Sequence, residues 1–293
     1  MAHPKSPKET IVAYYDQEAA AYSELYTRGA NDQEFYPANA IRLEMIIDLL
    51  RLRGARELLD VGCGSGQPLL RFLREGYDAR GFDFSPRMVE NAQAAMRAAG
   101  QSDERVSLGD IERRETLPAG PFDAVVATGV FPHNLNDSAA YANVRELLAP
   151  KGAAFIEYRN ALMSLFSLNR YCAPFFWEEL LCAEELPEGL REDTRRFLAS
   201  KFDTPVEGVG KRRDIEYSDI LARFHNPLTL GRDLSGHGLR LINVHYYHWH
   251  AAPPHLEKAH KDVFRRLSLA HERKEDWRAM FLCSAYVAEI ERF

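Results

Sequence analysis

The chain has 293 residues, 46% hydrophobic and 27% charged, with a formal net charge of −6 at pH 7 and a sequence pI near 6.0. That is enough chain for one large domain, or one domain carrying a big insertion, and the acidic balance argues against a polyphosphate partner such as nucleic acid. No apolar run approaches the ~20 residues that cross a bilayer, and the opening MAHPKSPKET lacks the apolar core of a signal peptide. The four cysteines (Cys63, Cys172, Cys182, Cys283) show no CxxC or paired spacing, so reduced thiols in a cytoplasmic protein are expected.

Residues 7–27 have helical composition and carry tyrosines at 14, 15, 22 and 26. A second helix, over about 37–52, repeats apolar residues at Ile41, Met45, Ile46, Leu49 and Leu50, the period of one buried helical face. From residue 56 short apolar strands at 56–61, 78–83, 105–109, 122–128 and 152–158 alternate with helical stretches near 67–75, 86–99 and 138–148. Near-continuous apolar strands alternating with helices predict an α/β fold with a parallel sheet covered on both faces. Residues 160–227, rich in aromatics and charge, break the pattern and read as a mostly helical insertion. The alternation resumes with a helix in LTLGRDLSGHG and a strand in LRLINVHYYHWH. A polar helix over about 255–274 and a last strand in MFLCSAYVAEIERF, at 280–290, complete the chain.

The stretch ELLDVGCGSG places Gly62, Gly64 and Gly66 directly after an apolar run that contains Asp60. Glycines let a backbone turn sharply at a strand end and approach a ligand closely. The spacing is neither GxGxxG nor a GK[ST] phosphate loop. Pro68 falls in the first turn of the next helix, where its missing N–H costs little. A crevice at the carboxyl ends of parallel strands is where open α/β sheets bind ligands. The second strand ends in Asp83, an acid able to accept both hydroxyls of a ribose. The third ends in GDI, whose Asp110 and Ile111 suit the amino group and ring face of adenine.

Four ordered motifs, LLDVGCGSG, GFDFSP, GDI and FDAVVATGVFPH, carry a resemblance to the class I S-adenosylmethionine-dependent methyltransferases. The resemblance covers about 40–159 closely and 228–293 in outline. It implies a Rossmann-like, doubly wound, seven-stranded sheet, mostly parallel with the last strand antiparallel. It also implies an N-terminal helical lid (1–36), a cofactor-binding core (37–159), a helical insertion serving as substrate lid (160–227) and the return of the core sheet (228–293). Carried over by position, Gly62, Gly64 and Gly66 would wrap the methionine part of S-adenosylmethionine. Asp83 would take the ribose hydroxyls and Asp110 the adenine amino group, with Phe84 and Ile111 on the adenine faces and Met88 in the same cofactor set. Asp60 would hold the glycine turn or reach the cofactor's amino group, and Thr128 and Gly129 would lie beneath the methionine tail. A GxGxG turn suits a ligand without pyrophosphate: adenosine joined to an amino acid through a sulfonium.

Methyl transfer is an in-line displacement that needs alignment, exclusion of water and, for a protonated nucleophile, a base. Tyr14 and Tyr22 are the lid residues expected to reach the reaction chamber, where aromatic faces favour the sulfonium. His133, after the fourth strand, is a candidate base, since an imidazole titrates near neutrality. His248 and His250 share a predicted strand face with Tyr246 and are candidates for base and acceptor wall. With His255 they invite a metal, but no cysteine or carboxylate partner stands at ligand spacing, and none is expected. Arg159, Asn160, Asn169, Arg170 and Tyr171, beside the fifth strand's end, and His225, at the insertion's end, are candidates for acceptor binding. An arginine there suits a carboxylate or phosphate.

These features predict methyl transfer to oxygen, nitrogen or carbon of a small-molecule acceptor such as a sugar or secondary-metabolite precursor. Nucleic acid and membrane are not expected partners, and a homodimer is compatible with the sequence. A catalytically silent scaffold of the same fold, or a nucleic-acid or protein methyltransferase, is the alternative. ATGVFPHN, standing where base-modifying enzymes carry (D/N/S)PP(Y/F/W), argues against nucleic acid.

Overall fold

A computed structural model describes residues 6–27, 36–168, 172–181, 183–202, 222–272 and 274–293. Two helices come first, α1 (Pro7–Thr27) and α2 (Ala38–Arg53). The alternating part follows: β1 (Glu57–Val61), α3 (Gln67–Arg74), β2 (Asp78–Asp83), α4 (Pro86–Ala98), β3 (Val106–Leu108), β4 (Phe122–Ala127), α5 (Asp137–Leu147) and β5 (Leu148–Arg159). Beyond β5 stand a short α6 (Ser164–Ser167), a π-helical stretch at Phe175–Leu180 and α7 (Glu188–Phe202). The chain returns through α8 (Leu230–Ser235), β6 (Leu239–Trp249), α9 (Lys261–Leu269), α10 (Ala279–Leu282) and β7 (Cys283–Arg292).

Among the described residues seven strands form one sheet in the order β3-β2-β1-β4-β5-β7-β6. The pairs among β1 to β5 are parallel, and β7 runs antiparallel between β5 and β6. This is the mostly parallel, seven-stranded α/β sheet with an antiparallel last strand that the motifs imply. The strand order reverses between β1 and β4, so their carboxyl ends open the crevice in which such sheets bind ligands.

Both faces are covered, which explains why the strands read as continuous apolar runs. On one face Tyr141, Val144 and Leu147 of α5 and Leu230 and Leu234 of α8 pack over Val61, Val125 and Ile156. On the other, Ile46, Ile47 and Leu50 of α2, Phe72 of α3 and Met96 of α4 cover Leu58, Val126 and Phe155. Each fully buried side chain of this size contributes about 1.5–3 kcal/mol. Helix ends follow local chemistry. Ser85 Oγ accepts Met88 N–H at the start of α4, where Pro86 occupies the first turn, and Asn136 caps α5 by accepting Ala139 N–H. Among the described residues, no helix is long and apolar enough to cross a membrane.

Three expected boundaries are corrected. The last strand begins at Cys283, not 280, because Asp276 accepts Arg278 N–H and starts the short α10. The polar helix of 255–274 shrinks to α9, with only a 3-10 turn at Pro254–Leu256 ahead of it. The fifth strand starts at Leu148 rather than 152, pairing with Phe122 before a register shift.

Candidate active site

β1 delivers the chain into the glycine turn. Gly62 sits at φ +66°, and a Cβ there would lie 2.4 Å from Val130 Cγ2, so the turn after β4 passes too close for any other residue. Gly66, at φ +83°, leads into α3 with its ideal Cβ only 3.1 Å from Ala92 Cβ. Asp83, at the end of β2, clamps the turn: Oδ2 accepts Gly64 N–H and Oδ1 accepts Ser85 N–H, each at 2.9 Å. Burial pushes the Asp83 carboxyl up to about 6, against the lowering effect of those N–H donors. Phe84 N–H is a third such donor, which leaves one of the roughly four lone-pair sites of the carboxylate for a ligand.

Asp60 lies beneath the turn, only 1% exposed, and its Oδ2 has no hydrogen-bond partner. Burial first, and the nearby Asp83 charge second, raise it to about 8, with the Arg42 cation pulling the other way. A buried acceptor left open beside a glycine turn is what a ligand ammonium would complete.

The cleft above this floor is lined by Val61, Gly62, Gly64 and Asp83, by Phe84, Met88, Asp110 and Ile111, and by Thr128, Gly129, Val130, His133 and Asn134. Most residues picked out in the sequence for the cofactor therefore face one another. Gly66 closes the turn through its N–H on Cys63 O, and neither it nor Asp60 is among the lining residues. Asn134 had not been singled out, yet its buried Nδ2 is without a partner, an amide donor that also suits a polar ligand.

Helix α1 closes the cleft. Ile11 and Ala19 are buried, Asp16 Oδ1 accepts Ser85 Oγ–H at 2.5 Å, and Asn91 Nδ2 donates to Ala19 O at 3.1 Å. The tyrosine that reaches the cleft is Tyr15, not Tyr14. Its hydroxyl lies 2.8 Å from His133 Nε2 and its ring meets Phe84 edge-on. Tyr14 packs edge-on against Tyr15 at 5.2 Å, one helix position (about 100°) away. The Tyr22 side chain lies outside the described residues. Lys8, also absent from the sequence reading, bonds Asp110 Oδ1 at 3.0 Å and Glu112 Oε2 at 2.7 Å.

Behind Gly129 stands a buried network that sequence reasoning missed. Glu157 Oε2 accepts Gly129 N–H at 2.7 Å and Arg42 Nη1–H at 2.6 Å, while Oε1 accepts the Tyr247 hydroxyl. The available signal was an acid interrupting the apolar run AAFIEYR of β5.

The remaining candidates lie elsewhere. Asn160 is fully buried and spent on backbone. Its Nδ2 donates to Met280 O and Cys283 O, and its Oδ1 accepts Leu162 N–H, so it ties β5 to β7 and does not face an acceptor. Arg159 stacks over Phe224. His225 Nε2 lies 3.0 Å from Asp137 Oδ2, and its ring packs on Tyr158. Tyr246 packs against Tyr286. Asn169, Arg170 and Tyr171 lie outside the described residues.

His248 and His250 do come together, with ring centroids 4.6 Å apart, but in an interior corner and not among the cleft-lining residues. His248, at φ +60°, stacks on Tyr36 and shares a hydrogen bond with Ser284 Oγ through Nδ1. His250 meets Phe264 of α9, and neither of its ring nitrogens has a partner. Desolvation drives their pKa values down to about 4 and about 3, so both rings are neutral at physiological pH. The expectation that they form an acceptor wall is corrected: Tyr36 and α9 cover them. Among the described residues no three His, Cys, Asp or Glu side chains converge as metal ligands.

Sheet order, glycine turn and the acids that follow β2 and β3 are those of the class I S-adenosylmethionine-dependent methyltransferase fold. Residues 58–152 match the family described as a methyltransferase domain, and the cofactor is S-adenosylmethionine. The chain is 27% identical over 213 residues to a ubiquinone biosynthesis O-methyltransferase of Dechloromonas aromatica, covering 70% of this chain and 86% of that one. It is 30% identical over 155 residues to the protein of the same name in Xanthomonas oryzae pv. oryzae, covering 52% of this chain and 63% of that one. In fold it is similar to the magnesium protoporphyrin IX methyltransferase of Synechocystis PCC 6803 with bound SAH, at TM-score 0.56 and 13% identity over 98% of this chain and 100% of that one.

Proposed function

We propose that this methyltransferase acts on a hydroxyl oxygen of a small-molecule acceptor. The observation that carries the reading is the Tyr15 hydroxyl 2.8 Å from His133 Nε2 inside the cleft. An oxygen acceptor must lose a proton as it is methylated, and a buried imidazole coupled to a phenol offers a place for it. The names of the O-methyltransferase relatives support the same acceptor atom.

S-adenosylmethionine, when bound, supplies an activated methyl group. The chain's own part is to hold and align. Gly62 and Gly64 admit the ligand backbone to close range and Gly66 supports their turn. Asp83 accepts the ribose hydroxyls, and Asp110 the adenine amino group between Phe84, Met88 and Ile111. Asp60 neutralises the ammonium, while Thr128 and Gly129 floor the methionine tail. The Tyr15 oxygen takes the acceptor proton as its own hydroxyl proton passes to His133 Nε2, 2.8 Å away, and the pair excludes water. In this reading residues 1–36 serve as the lid over the core of 37–159 and 228–293, and 160–227 serve acceptor choice; residues 1–5, 28–35, 169–171, 182 and 203–221 of these segments lie outside the described residues.

The test is transfer of labelled methyl from S-adenosylmethionine to a panel of phenols, hydroxy acids, sugars and amines. Label on oxygen, with His133→Ala slowing turnover by roughly 10²–10⁴-fold at unchanged cofactor affinity, is the expected result. Label on amines alone, or a fully active His133→Ala variant, refutes the base assignment.

A further inference from the structure

The cleft is narrow, with a free volume of about 50 Å³, whereas small-molecule sites run ~300–1,000 Å³. Lys8 contributes to the constriction. Its ammonium lies 3.0 Å from Asp110 Oδ1, 2.7 Å from Glu112 Oε2 and 5.4 Å from the centre of the Phe84 ring. A carboxylate acceptor and an aromatic face are the two features assigned above to the adenine amino group and ring. A protonated amine answers both chemistries, by charge-assisted hydrogen bonding and by cation–π attraction.

We infer that Lys8 is a built-in competitor for the adenine subsite, and that cofactor capture requires its release from Asp110. The inference rests on the assignment of Asp110 and Phe84 to adenine. Glu112 makes the exchange easy. It is held in place by Leu135 N–H and Asn136 N–H, each 2.5 Å from Oε1, so Lys8 keeps one carboxylate partner while it leaves the other. Other anchors of α1, Asp16 on Ser85, Asn91 on Ala19 and Tyr15 on His133, do not involve Lys8, and the helix need not undock for Lys8 to swing. Because the competitor is ionic and adenine is neutral, salt should screen the former and favour the latter.

The experiment is calorimetric titration of S-adenosylhomocysteine into the full chain and its Lys8→Met variant, at about 50 mM and about 500 mM sodium chloride. Methionine keeps side-chain length and helix propensity, and circular dichroism checks the fold. Binding tighter in Lys8→Met by roughly three- to tenfold, with the wild-type affinity rising with salt and the variant's flat, is the expected pattern. Equal or weaker binding in the variant overturns the inference and makes Lys8 a bystander or a clamp. Asp110→Ala in the Lys8→Met background separates the two assignments. Weakened binding there upholds Asp110 as the adenine partner, and unchanged binding removes that assignment and the inference with it.

Discussion

Glu157 Oε2, near the carboxyl end of β5, accepts the N–H of Gly129 in the neighbouring β4 turn at 2.7 Å. The same oxygen meets the Arg42 guanidinium at 2.6 Å, and both side chains are largely buried. One carboxylate thus joins α2, β6 through Tyr247, and the floor of the cleft. Removing one member of a buried ion pair costs about 3–5 kcal/mol, because the other charge is left uncompensated. We expect Glu157→Gln to lower the denaturation midpoint and weaken S-adenosylhomocysteine binding together. Adding Arg42→Met should recover part of the stability, and additive losses in the double variant would show that the pair is not coupled.

Asp83 holds both Gly64 and Ser85 through their N–H groups. Asp83→Ala is expected to weaken S-adenosylhomocysteine binding at least ~10-fold, about 1.4 kcal/mol, with the folded state retained. Calorimetry and circular dichroism on the same sample read both. Unchanged affinity would remove the ribose role.

Asp60 predicts a pH dependence. Burial raises its carboxyl to about 8, so near neutrality it is mostly protonated before a cation arrives, and accepting an ammonium requires proton loss. Affinity for S-adenosylhomocysteine should therefore climb between about pH 6 and pH 8, by at most ~10-fold per unit, and level off above. The same raised pKa gives stability that is present below about pH 4 and lost as pH rises through 8. Asp60→Asn should flatten both curves, and a variant that keeps the wild-type affinity slope would place the proton elsewhere.

The His248–His250 corner makes an acid-stability prediction. Both folded pKa values lie below the ordinary ~6.5, at about 4 and about 3. The unfolded chain binds protons first, so stability falls as pH drops from about 6.5 towards 4 and 3. Replacing His250 with phenylalanine removes two buried nitrogens that have no partner and should reduce that slope, measured as urea midpoints at about pH 7 and pH 5. Loss of turnover at pH 7 with stability unchanged would instead return the corner to the acceptor site.

How far the site was legible depended on the distance over which each feature is decided. The Gly62–Gly66 turn, Asp83 and Asp110 were readable because left-handed glycine geometry and a polar residue closing an apolar strand are properties of a few consecutive residues. The choice of Tyr15 over Tyr14 was not, since it turns on the rotation of one helix about its own axis. The covering of His250 by α9 was not either, because strand alternation says which side chains share a face but not what packs upon it.

The alternation of strand and helix, the order of the cofactor motifs and the acidic net charge belong to the sequence by itself, because each follows from local periodicity, local turn chemistry or composition. The contacts of Lys8 with Asp110, Tyr15 with His133 and Arg42 with Glu157 span 102, 118 and 115 residues. They were decided only when α1 and α2 docked on the sheet. No pattern of neighbouring residues records which side chains meet once two packed layers have excluded water between them.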